Sequence, residues 1–260
     1  MKIDFFIIGV QKGGTTALYN YLRRSNYIQM ARAKEVHFFD NEKIDWSNPD
    51  YARLHAQFDE TNTSIKLRGE ATPVYCYWPN ALMRLYRYNS SAKLLMSLRH
   101  PSFRAYSHWR MEMERKRETL SFSEAINISP EQRIGVASEM AHRVYSYVER
   151  GFYMPQIQNI FNLFPREQIM FLRTDKLWSD IKGSLERIQE FLGIEVPSVA
   201  ASVYSAPNLK HDITVGIDNK SRELLDARFA DDIRLTSSLT GMDLTDWLDP
   251  KYQEPMRSDG

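Results

Sequence analysis

The chain has 260 residues, and its 34 basic and 33 acidic side chains leave a formal net charge of +1. Proteins that hold a nucleic-acid backbone by counterion release carry a clear basic excess, so we expect no nucleic-acid partner. With 43% hydrophobic and 12% aromatic residues the chain is too apolar for a disordered tail. Its length predicts one domain over residues 1–260, with a polar tail at about 250–260.

Cysteine content and hydropathy predict where the protein is found. Cys76 is the one cysteine, so an intramolecular disulfide is impossible and a reducing compartment is expected. The most apolar run, residues 5–10, is far shorter than the ~20 residues needed to span a bilayer. Residues 1–4 do not resemble a secretory signal peptide. We therefore expect a cytoplasmic monomer or homodimer with no membrane partner.

Apolar runs and helical repeats alternate from the start of the chain. A strand is predicted at 3–8, and after a glycine turn a helix is predicted at 15–24. Residues 65–67 form a weaker strand candidate, and residues 93–98 a strong one. Ser121 to Glu124 has the spacing of a capping box, which marks the beginning of a helix.

The second half of the chain continues the alternation. A helix is predicted between Pro155 and Pro165, followed by a strand at 168–172. Apolar residues then repeat at helical spacing up to Gly193, which is placed to end that helix. Strands alternating with helices predict an α/β fold, a parallel β-sheet flanked by helices on both faces. Such sheets bind ligands at the carboxyl ends of their strands.

The first predicted strand ends in a glycine loop that a helix follows. Here glycines allow close approach of the backbone, and the helix N-terminus adds partial positive charge. The glycine spacing is that of a Walker A loop, but the lysine comes two places before Gly14 rather than after it. We predict a phosphate-binding loop, with a plain turn as the alternative; its residues are Gln11, Lys12, Gly13, Gly14, Thr15 and Thr16.

Two other stretches carry side chains suited to group transfer. Arg99 follows the strand at 93–98, and Ser107 comes eight residues later; a guanidinium and a hydroxyl together suit a phosphate. Residues 34–40, KEVHFFD, place Glu35 and His37 on one side if the segment is extended. The alternatives are a surface ion pair at Arg99 and a loop with an exposed Lys-Glu pair at 34–35.

The glycine loop with its early lysine resembles the 5′-phosphosulfate loop of sulfotransferases. These P-loop-type enzymes use 3′-phosphoadenosine 5′-phosphosulfate (PAPS) as sulfuryl donor and release adenosine 3′,5′-bisphosphate (PAP). The segment 99–107, with its arginine, proline and serine, is similar to the family's 3′-phosphate site. The resemblance implies that residues 11–16, Arg99 and Ser107 bind the donor, that Lys12 stabilises the leaving phosphate, and that no metal is required.

Residues 34–40 resemble the K-E-x-H-F-F-D stretch of the heparan-sulfate type of sulfotransferase, notably its glucosaminyl 3-O-sulfotransferase branch. The resemblance implies that Glu35 is the general base, that His37 is its neighbour or a second proton carrier, and that Asp40 lines the acceptor site. Losing a general base typically costs roughly 10²–10⁴ in rate.

Residues 69–75, GEATPVY, resemble the family's E-K-[ST]-P-x-Y segment, with Ala71 in place of the lysine. Glu70 and Tyr75 remain candidates for the acceptor site, and Glu70 is an alternative base or a turn cap. Residues 208–216 fall where relatives carry a loop over the donor, with Lys210 and His211 as candidates.

These features predict a sulfotransferase that moves a sulfuryl group from PAPS to a hydroxyl or nitrogen of a small-molecule, natural-product-like acceptor. The near-neutral net charge argues against a long sulfated polysaccharide. Two alternatives are a P-loop kinase that uses ATP and a non-catalytic nucleotide-binding protein. The six histidines show no metal-ligand spacing with Cys76, so no metal site is expected.

Overall fold

The computed structural model describes residues 1–128, 132, 139–194 and 216–255, and these fall into two compact units. The first contains residues 1–98, 159–194 and 255, and the second contains the described residues of 99–158 and 216–254. Lys210 and His211, the candidates for a loop over the donor, lie outside the described residues.

A five-stranded parallel sheet is the framework of the first unit. Its strands are β1 (Phe5–Gly9), β2 (Ile28–Met30), β3 (Leu67–Ala71), β4 (Lys93–Leu98) and β5 (Ile169–Arg173). The strand order is β2-β3-β1-β4-β5, and all neighbouring strands are parallel. Strands buried on both faces are continuous apolar runs, which explains why β1 and β4 were recognisable as uninterrupted segments.

Helices follow the strands along the chain, and several of them pack on the sheet. They are α1 (Thr15–Leu22), α2 (Ala52–His55), α3 (Ala81–Tyr88), α4 (Pro101–Glu114), α5 (Phe122–Ala125), α6 (Glu139–Tyr145), α7 (Met154–Phe161), α8 (Thr174–Ser179), α9 (Ile181–Leu192) and α10 (Asn219–Thr240). Helix α1 contacts β1 and β2, while α8 and α9 contact β5. The predicted α/β class, with a parallel sheet flanked by helices, is confirmed. In the described part of the chain, no helix is long and apolar enough to cross a membrane.

The second unit is helical and is held by buried polar contacts. The fully buried Arg104 on α4 donates to the carbonyl oxygen of Tyr147. The carboxylate of Asp232 on α10 accepts from the backbone N–H groups of Tyr153 (2.7 Å) and Met154 (3.0 Å). Asp232 thereby satisfies two donors where α7 begins, which have no partner within that helix.

Most predicted element boundaries agree with the structure to within a few residues. The strand at 93–98 and the capping box at Ser121 are as predicted, and Gly193 ends α9 in the left-handed conformation at φ 78°. Strand β3 covers 67–71 rather than 65–67, because pairing with β1 extends it to Ala71. Helix α7 ends at Phe161, three residues before the predicted 164.

Candidate active site

The glycine loop turns sharply between β1 and α1. The N–H of Val10 donates to the carbonyl of Ser97 (3.0 Å), and the N–H of Gly13 donates back to the carbonyl of Val10 (2.9 Å). A Cβ at Gly13 would lie 2.5 Å from the Ser97 carbonyl oxygen, so only glycine fits there. Gly14 adopts a φ of +80° and begins α1, so a residue with a side chain would be strained at this position too.

Two buried hydroxyl groups hold the loop at the ends of β4 and β5. Ser97 Oγ donates to the carbonyl oxygen of Gly13 (2.7 Å). Thr174 Oγ1 lies 2.9 Å from the same oxygen and 2.9 Å from the carbonyl oxygen of Leu98. The loop is therefore held in shape by residues at the ends of two strands. The N–H groups of Thr15 and Thr16 follow it in the first turn of α1, where N–H groups have no partner within the helix.

Lys12 and His37 share an unusual backbone conformation. Among the described residues, four that are not glycine have a positive φ, and Lys12 (70°) and His37 (53°) are two of them. Such residues cost of order 1–3 kcal/mol each and concentrate at functional sites. Two of the four residues that the fold holds in this strained conformation are thus positions predicted from the sequence as site residues.

Glu35, His37 and Asp40 form a chain of ionic contacts. His37 Nε2 lies 3.2 Å from Glu35 Oε2, and His37 Nδ1 lies 2.8 Å from Asp40 Oδ2. The ammonium of Lys34 lies 3.1 Å from Glu35 Oε1. His37 has a positive φ, so the segment is not extended at this residue and the condition for a shared side is not met; the side chains of Glu35 and His37 nevertheless lie in contact.

The three charges set each other's protonation. Hydrogen bonds to Asp40 and Glu35 outweigh the effect of burial and raise the pKa of His37 to about 9. For Glu35, burial favours the neutral acid, but the His37 hydrogen bond and the charges of Lys34 and His37 lower its pKa to about 2. At neutral pH Glu35 is therefore a carboxylate and His37 an imidazolium.

The turn after β3 holds this segment by its backbone. Glu70 Oε1 accepts from the N–H of Val36 (3.3 Å) and from the hydroxyl of Thr72. Thr72 Oγ1 in turn accepts from the N–H of His37 (3.4 Å). Glu70 is fully buried, and burial raises its pKa to about 7 although both hydrogen bonds oppose that shift.

Tyr75 completes the support and ties it to the glycine loop. Its hydroxyl accepts from the N–H groups of Phe38 (3.1 Å) and Phe39 (3.4 Å). The next residue, Cys76, donates its N–H to the carbonyl of Ile8 near the end of β1 (3.0 Å). The turn at 72–76 therefore contacts both residues 38–39 and the end of β1, the strand that leads into the glycine loop. We call residues 34–42 the base segment, after the role predicted for Glu35.

A buried arginine fixes the far end of the base segment. Arg84 on α3 donates to the carbonyl of Phe39 (2.9 Å) and forms a paired contact with the carboxylate of Glu42 (2.9 and 2.5 Å). Glu42 also accepts from the indole N–H of Trp78 (2.8 Å), and the Arg84 guanidinium lies over the ring of Trp46 at 4.4 Å. We call these four residues, Glu42, Trp46, Trp78 and Arg84, the arginine clamp.

Arg99 and Ser107 belong to the second unit. Arg99 follows the last residue of β4 in the chain, and Ser107 lies partly exposed on α4. The Arg99 guanidinium forms a two-point ion pair with Glu254, from Nε to Oε1 (2.7 Å) and from Nη2 to Oε2 (2.5 Å). The carbonyl of Arg99 accepts from the hydroxyl of Tyr153 (2.6 Å).

Several residues with a clear place in these contacts were not predicted as site residues. Thr72 had a signal, because its hydroxyl stands inside the recognised E-x-[ST]-P stretch. Ser97 and Thr174 are polar residues at or just after strand ends, where ligand loops are usually supported. The arginine clamp and Glu254 had no local signal. Among the described residues, no group of three His, Cys, Asp or Glu side chains is arranged to hold a metal ion.

The parallel sheet with β1 flanked by β3 and β4, and the braced glycine loop that follows β1, define a P-loop-type α/β protein. Residues 2–211 match the sulfotransferase domain family. The chain therefore belongs to the sulfotransferases, and the predicted PAPS-dependent family is confirmed.

Named relatives agree with this family. The chain is 29% identical over 191 residues to heparan sulfate glucosamine 3-O-sulfotransferase 5 of Mus musculus, which covers 72% of this chain and 52% of the relative. It is 29% identical over 192 residues to heparan sulfate glucosamine 3-O-sulfotransferase 3A1 of Mus musculus, with 73% and 45% covered. The chain thus spans about half the length of the curated relatives it matches.

Solved structures support the fold. The crystal structure of a sulfotransferase from Alicyclobacillus acidocaldarius superposes with a TM-score of 0.79 at 27% identity, covering 96% of this chain and 100% of that one. The sulfotransferase domain from the curacin biosynthetic pathway, at 16% identity and a TM-score of 0.52, covers 84% and 81% and shows the shared fold alone.

Proposed function

We propose that the protein transfers a sulfuryl group from PAPS to a hydroxyl or nitrogen of a small acceptor, with Glu35 as general base. The observation that carries the proposal is the turn at 72–76. Through Tyr75 and Cys76 it connects the acid–imidazole–acid chain of Glu35, His37 and Asp40 to the strand that ends in the glycine loop.

The glycine loop suits the phosphosulfate end of the donor. Two glycines that no other residue can replace without strain let the backbone approach an anion, and the first turn of α1 presents N–H groups to it. We propose that residues 11–16 hold this group and that Lys12 stabilises the negative charge left on the phosphate. The 3′-phosphate is assigned to Arg99 and Ser107, whose residue types suit it.

Glu35 is the side chain proposed to take the acceptor proton. With a pKa of about 2 it is ionised at any physiological pH, and its side chain is 27% exposed, so an acceptor can reach it. A carboxylate this acidic takes the proton late, when the attacking atom has become strongly acidic through its new bond to sulfur. His37, with a pKa of about 9, is an imidazolium that orients Glu35 rather than a second base.

The atoms of the transfer balance without a metal or a redox partner. The donor supplies a sulfuryl group bonded to a phosphate oxygen; that bond breaks with its electron pair going to the oxygen, and a bond from sulfur to the acceptor atom forms. The acceptor proton passes to Glu35. The product PAP leaves from the residues that bound the donor.

Glu70, Asp40 and Tyr75 are proposed to act through the base segment. Glu70 and Tyr75 are fully buried, and their polar atoms hold backbone N–H groups of residues 36–39. Asp40 is buried beneath His37 and keeps it charged. We therefore propose that Glu70, Asp40 and Tyr75 position Glu35 and His37, and that they do not contact the acceptor directly.

A small acceptor is proposed from charge. The relatives are named for action on heparan sulfate, a polyanion, whereas this chain has a net charge of +1 and a buried Ala71 where the related segment has lysine. The single cysteine supports a cytoplasmic location.

Calorimetry and an acceptor screen test the proposal. We expect PAP to bind tightly in the presence of EDTA and ADP with Mg²⁺ to bind weakly. The reverse preference would point to a kinase. With PAPS present, we expect small phenols, alcohols or amines to be sulfated; transfer to heparan sulfate but to no small molecule would remove the acceptor assignment while leaving the reaction in place.

A further inference from the structure

Arg99 forms a two-point contact with a carboxylate near the end of the described chain. Glu254 meets the guanidinium side-on at two points, 2.7 and 2.5 Å, and the side chains of Arg99 and Glu254 are only 16% and 13% exposed. A paired contact of this kind is charge-assisted and directional. It is also the geometry in which a guanidinium binds a phosphate.

The segment that carries Glu254 is anchored to the beginning of α4 by other contacts. The ring of Tyr252 stacks on His100, with centroids 5.3 Å apart and planes 15° from parallel. The carbonyl of Tyr252 accepts from Arg222 (3.4 Å), whose guanidinium lies over Phe103 at 4.3 Å. Glu254 is thus held beside Arg99 by packing as well as by charge.

We propose that Glu254 is a residue of the donor site, and that its carboxylate and the donor's 3′-phosphate exchange on Arg99. This inference rests on the proposed function, which assigns the 3′-phosphate to Arg99. One edge of a guanidinium accepts one oxyanion at a time, so the two ligands compete for Nε and Nη2. Displacement by the phosphate leaves the largely buried Glu254 carboxylate without Arg99, which is costly. We therefore expect only an anion with more charge than a carboxylate to replace Glu254 favourably.

The exchange has a consequence for selectivity. A nucleotide without a 3′-phosphate leaves the Arg99–Glu254 pair intact and gains no contact with Arg99. Its affinity therefore does not depend on Glu254. A 3′-phosphorylated nucleotide must first displace the carboxylate. Glu254 therefore lowers the affinity for PAPS and PAP together, and the weaker binding of PAP favours its release after transfer.

The test compares two ligands on matched variants. Glu254→Gln keeps the size of the side chain and removes its charge, while Glu223→Gln removes an exposed charge from α10 as control. We expect calorimetry to give an about tenfold tighter Kd for PAP with Glu254→Gln, an unchanged Kd for AMP, and no change for either ligand with Glu223→Gln. A tenfold change corresponds to ~1.4 kcal/mol.

Other outcomes overturn the inference. If Glu254→Gln leaves PAP binding unchanged or weakens it, Glu254 orients Arg99 instead of competing for it. If PAP and AMP both bind more tightly, the effect is general electrostatics. Arg99→Lys tests the proposed function separately from the role of Glu254. If Arg99→Lys does not weaken PAP binding relative to AMP binding, the assignment of the 3′-phosphate to Arg99 fails, whatever Glu254→Gln shows. Glu254→Asp, which retracts the charge, is expected to fall between wild type and Glu254→Gln.

Discussion

At the scale of single residues, the candidate site is a set of charges that fix one another. Lys34, Glu35, His37 and Asp40 alternate in sign, and each inner member contacts both neighbours. The alternation explains how two acids and a histidine share a small volume without mutual repulsion.

We expect Glu35→Gln to lower kcat by roughly 10²–10⁴, because an amide cannot take the acceptor proton. The Kd for PAP should stay within a factor of about 3, since Glu35 is not among the residues assigned to the donor, and a factor of ten corresponds to ~1.4 kcal/mol. Steady-state kinetics and calorimetry measure the two quantities, with the exposed Glu60→Gln as control. A normal kcat in Glu35→Gln would move the base to Glu70 or His37.

Glu70 gives the fold a pH dependence. Its pKa is raised from 4.5 to about 7 by burial, so the folded state favours the protonated acid and loses stability as pH rises from 4.5 to about 7. A pKa raised from 4.5 to about 7 corresponds to a loss of roughly 3 kcal/mol in the free energy of unfolding, at 1.36 kcal/mol for each pH unit between the two values. Glu70→Gln has no such titration, so relative to wild type it should gain about that much between pH 4 and pH 8.

Urea unfolding at several pH values measures this difference. Because both proteins keep the other titrating groups, subtracting one curve from the other isolates Glu70. Parallel curves for Glu70→Gln and wild type from pH 4 to pH 8 would show that Glu70 titrates normally despite its burial.

At the scale of elements, three supports converge on one irregular segment. Residues 34–42 have no regular secondary structure, yet three elements contact them: the turn after β3 through Tyr75, helix α3 through Arg84, and strand β1, whose Phe6 packs edge-on against Phe39 at 5.8 Å between ring centroids. The arginine clamp supports the C-terminal part of this segment. It sets where Phe39 lies, and the next residue, Asp40, holds His37.

Arg84→Lys keeps the charge of the clamp and loses its two-point geometry with Glu42 and its stacking on Trp46. We expect kcat to fall about tenfold, as for a displaced catalytic group, while the Kd for PAP stays constant. NMR titration should also show the pKa of His37 moving down from about 9 toward its ordinary value as the Asp40 contact loosens.

The control for the clamp is Arg87→Lys, an exposed position on the same helix, which should change neither quantity. If Arg84→Lys lowers thermal stability but leaves the His37 pKa and kcat as in wild type, the clamp is a packing feature only.

The elements that sequence reasoning identified are those whose signal is local. Strand β4 is six consecutive residues, and the glycine loop is specified by the spacing of Gly9, Gly13 and Gly14. Strand β2, with three residues, is too short to give a pattern, and only its pairing with β3 defines it. Contacts such as Val36 with Glu70, 34 residues apart, or Arg99 with Glu254, 155 apart, leave no trace in one sequence. The residue types at the site were therefore predictable, and most of what holds them was not.

At the scale of the whole molecule, the protein is nearly neutral, and two of its basic residues, Lys12 and Arg99, are the ones proposed to bind the donor. Lys12 and Arg99 follow β1 and β4, two neighbouring strands of the sheet. Since a donor that binds only the folded state stabilises it, ligand binding should be visible in the unfolding of the protein.

PAP at one hundred times its Kd is expected to add about 2.7 kcal/mol to the free energy of unfolding. The gain should be the same with EDTA present, and ADP with Mg²⁺ at equal concentration should give little. Differential scanning calorimetry measures all three conditions. Stabilisation by PAP that disappears with EDTA would contradict the metal-free site proposed for this chain.

The backbone of the base segment has one further consequence. Four successive amides, those of Val36, His37, Phe38 and Phe39, donate to the side chains of Glu70, Thr72 and Tyr75 instead of to other backbone groups. An irregular loop would ordinarily lose its amide protons to solvent within moments. Here these four should exchange with deuterium slowly, and Tyr75→Phe should speed the exchange of Phe38 and Phe39 while leaving Val36 protected. The exchange rates of these four amides would thus report whether the segment that carries the proposed base is in place.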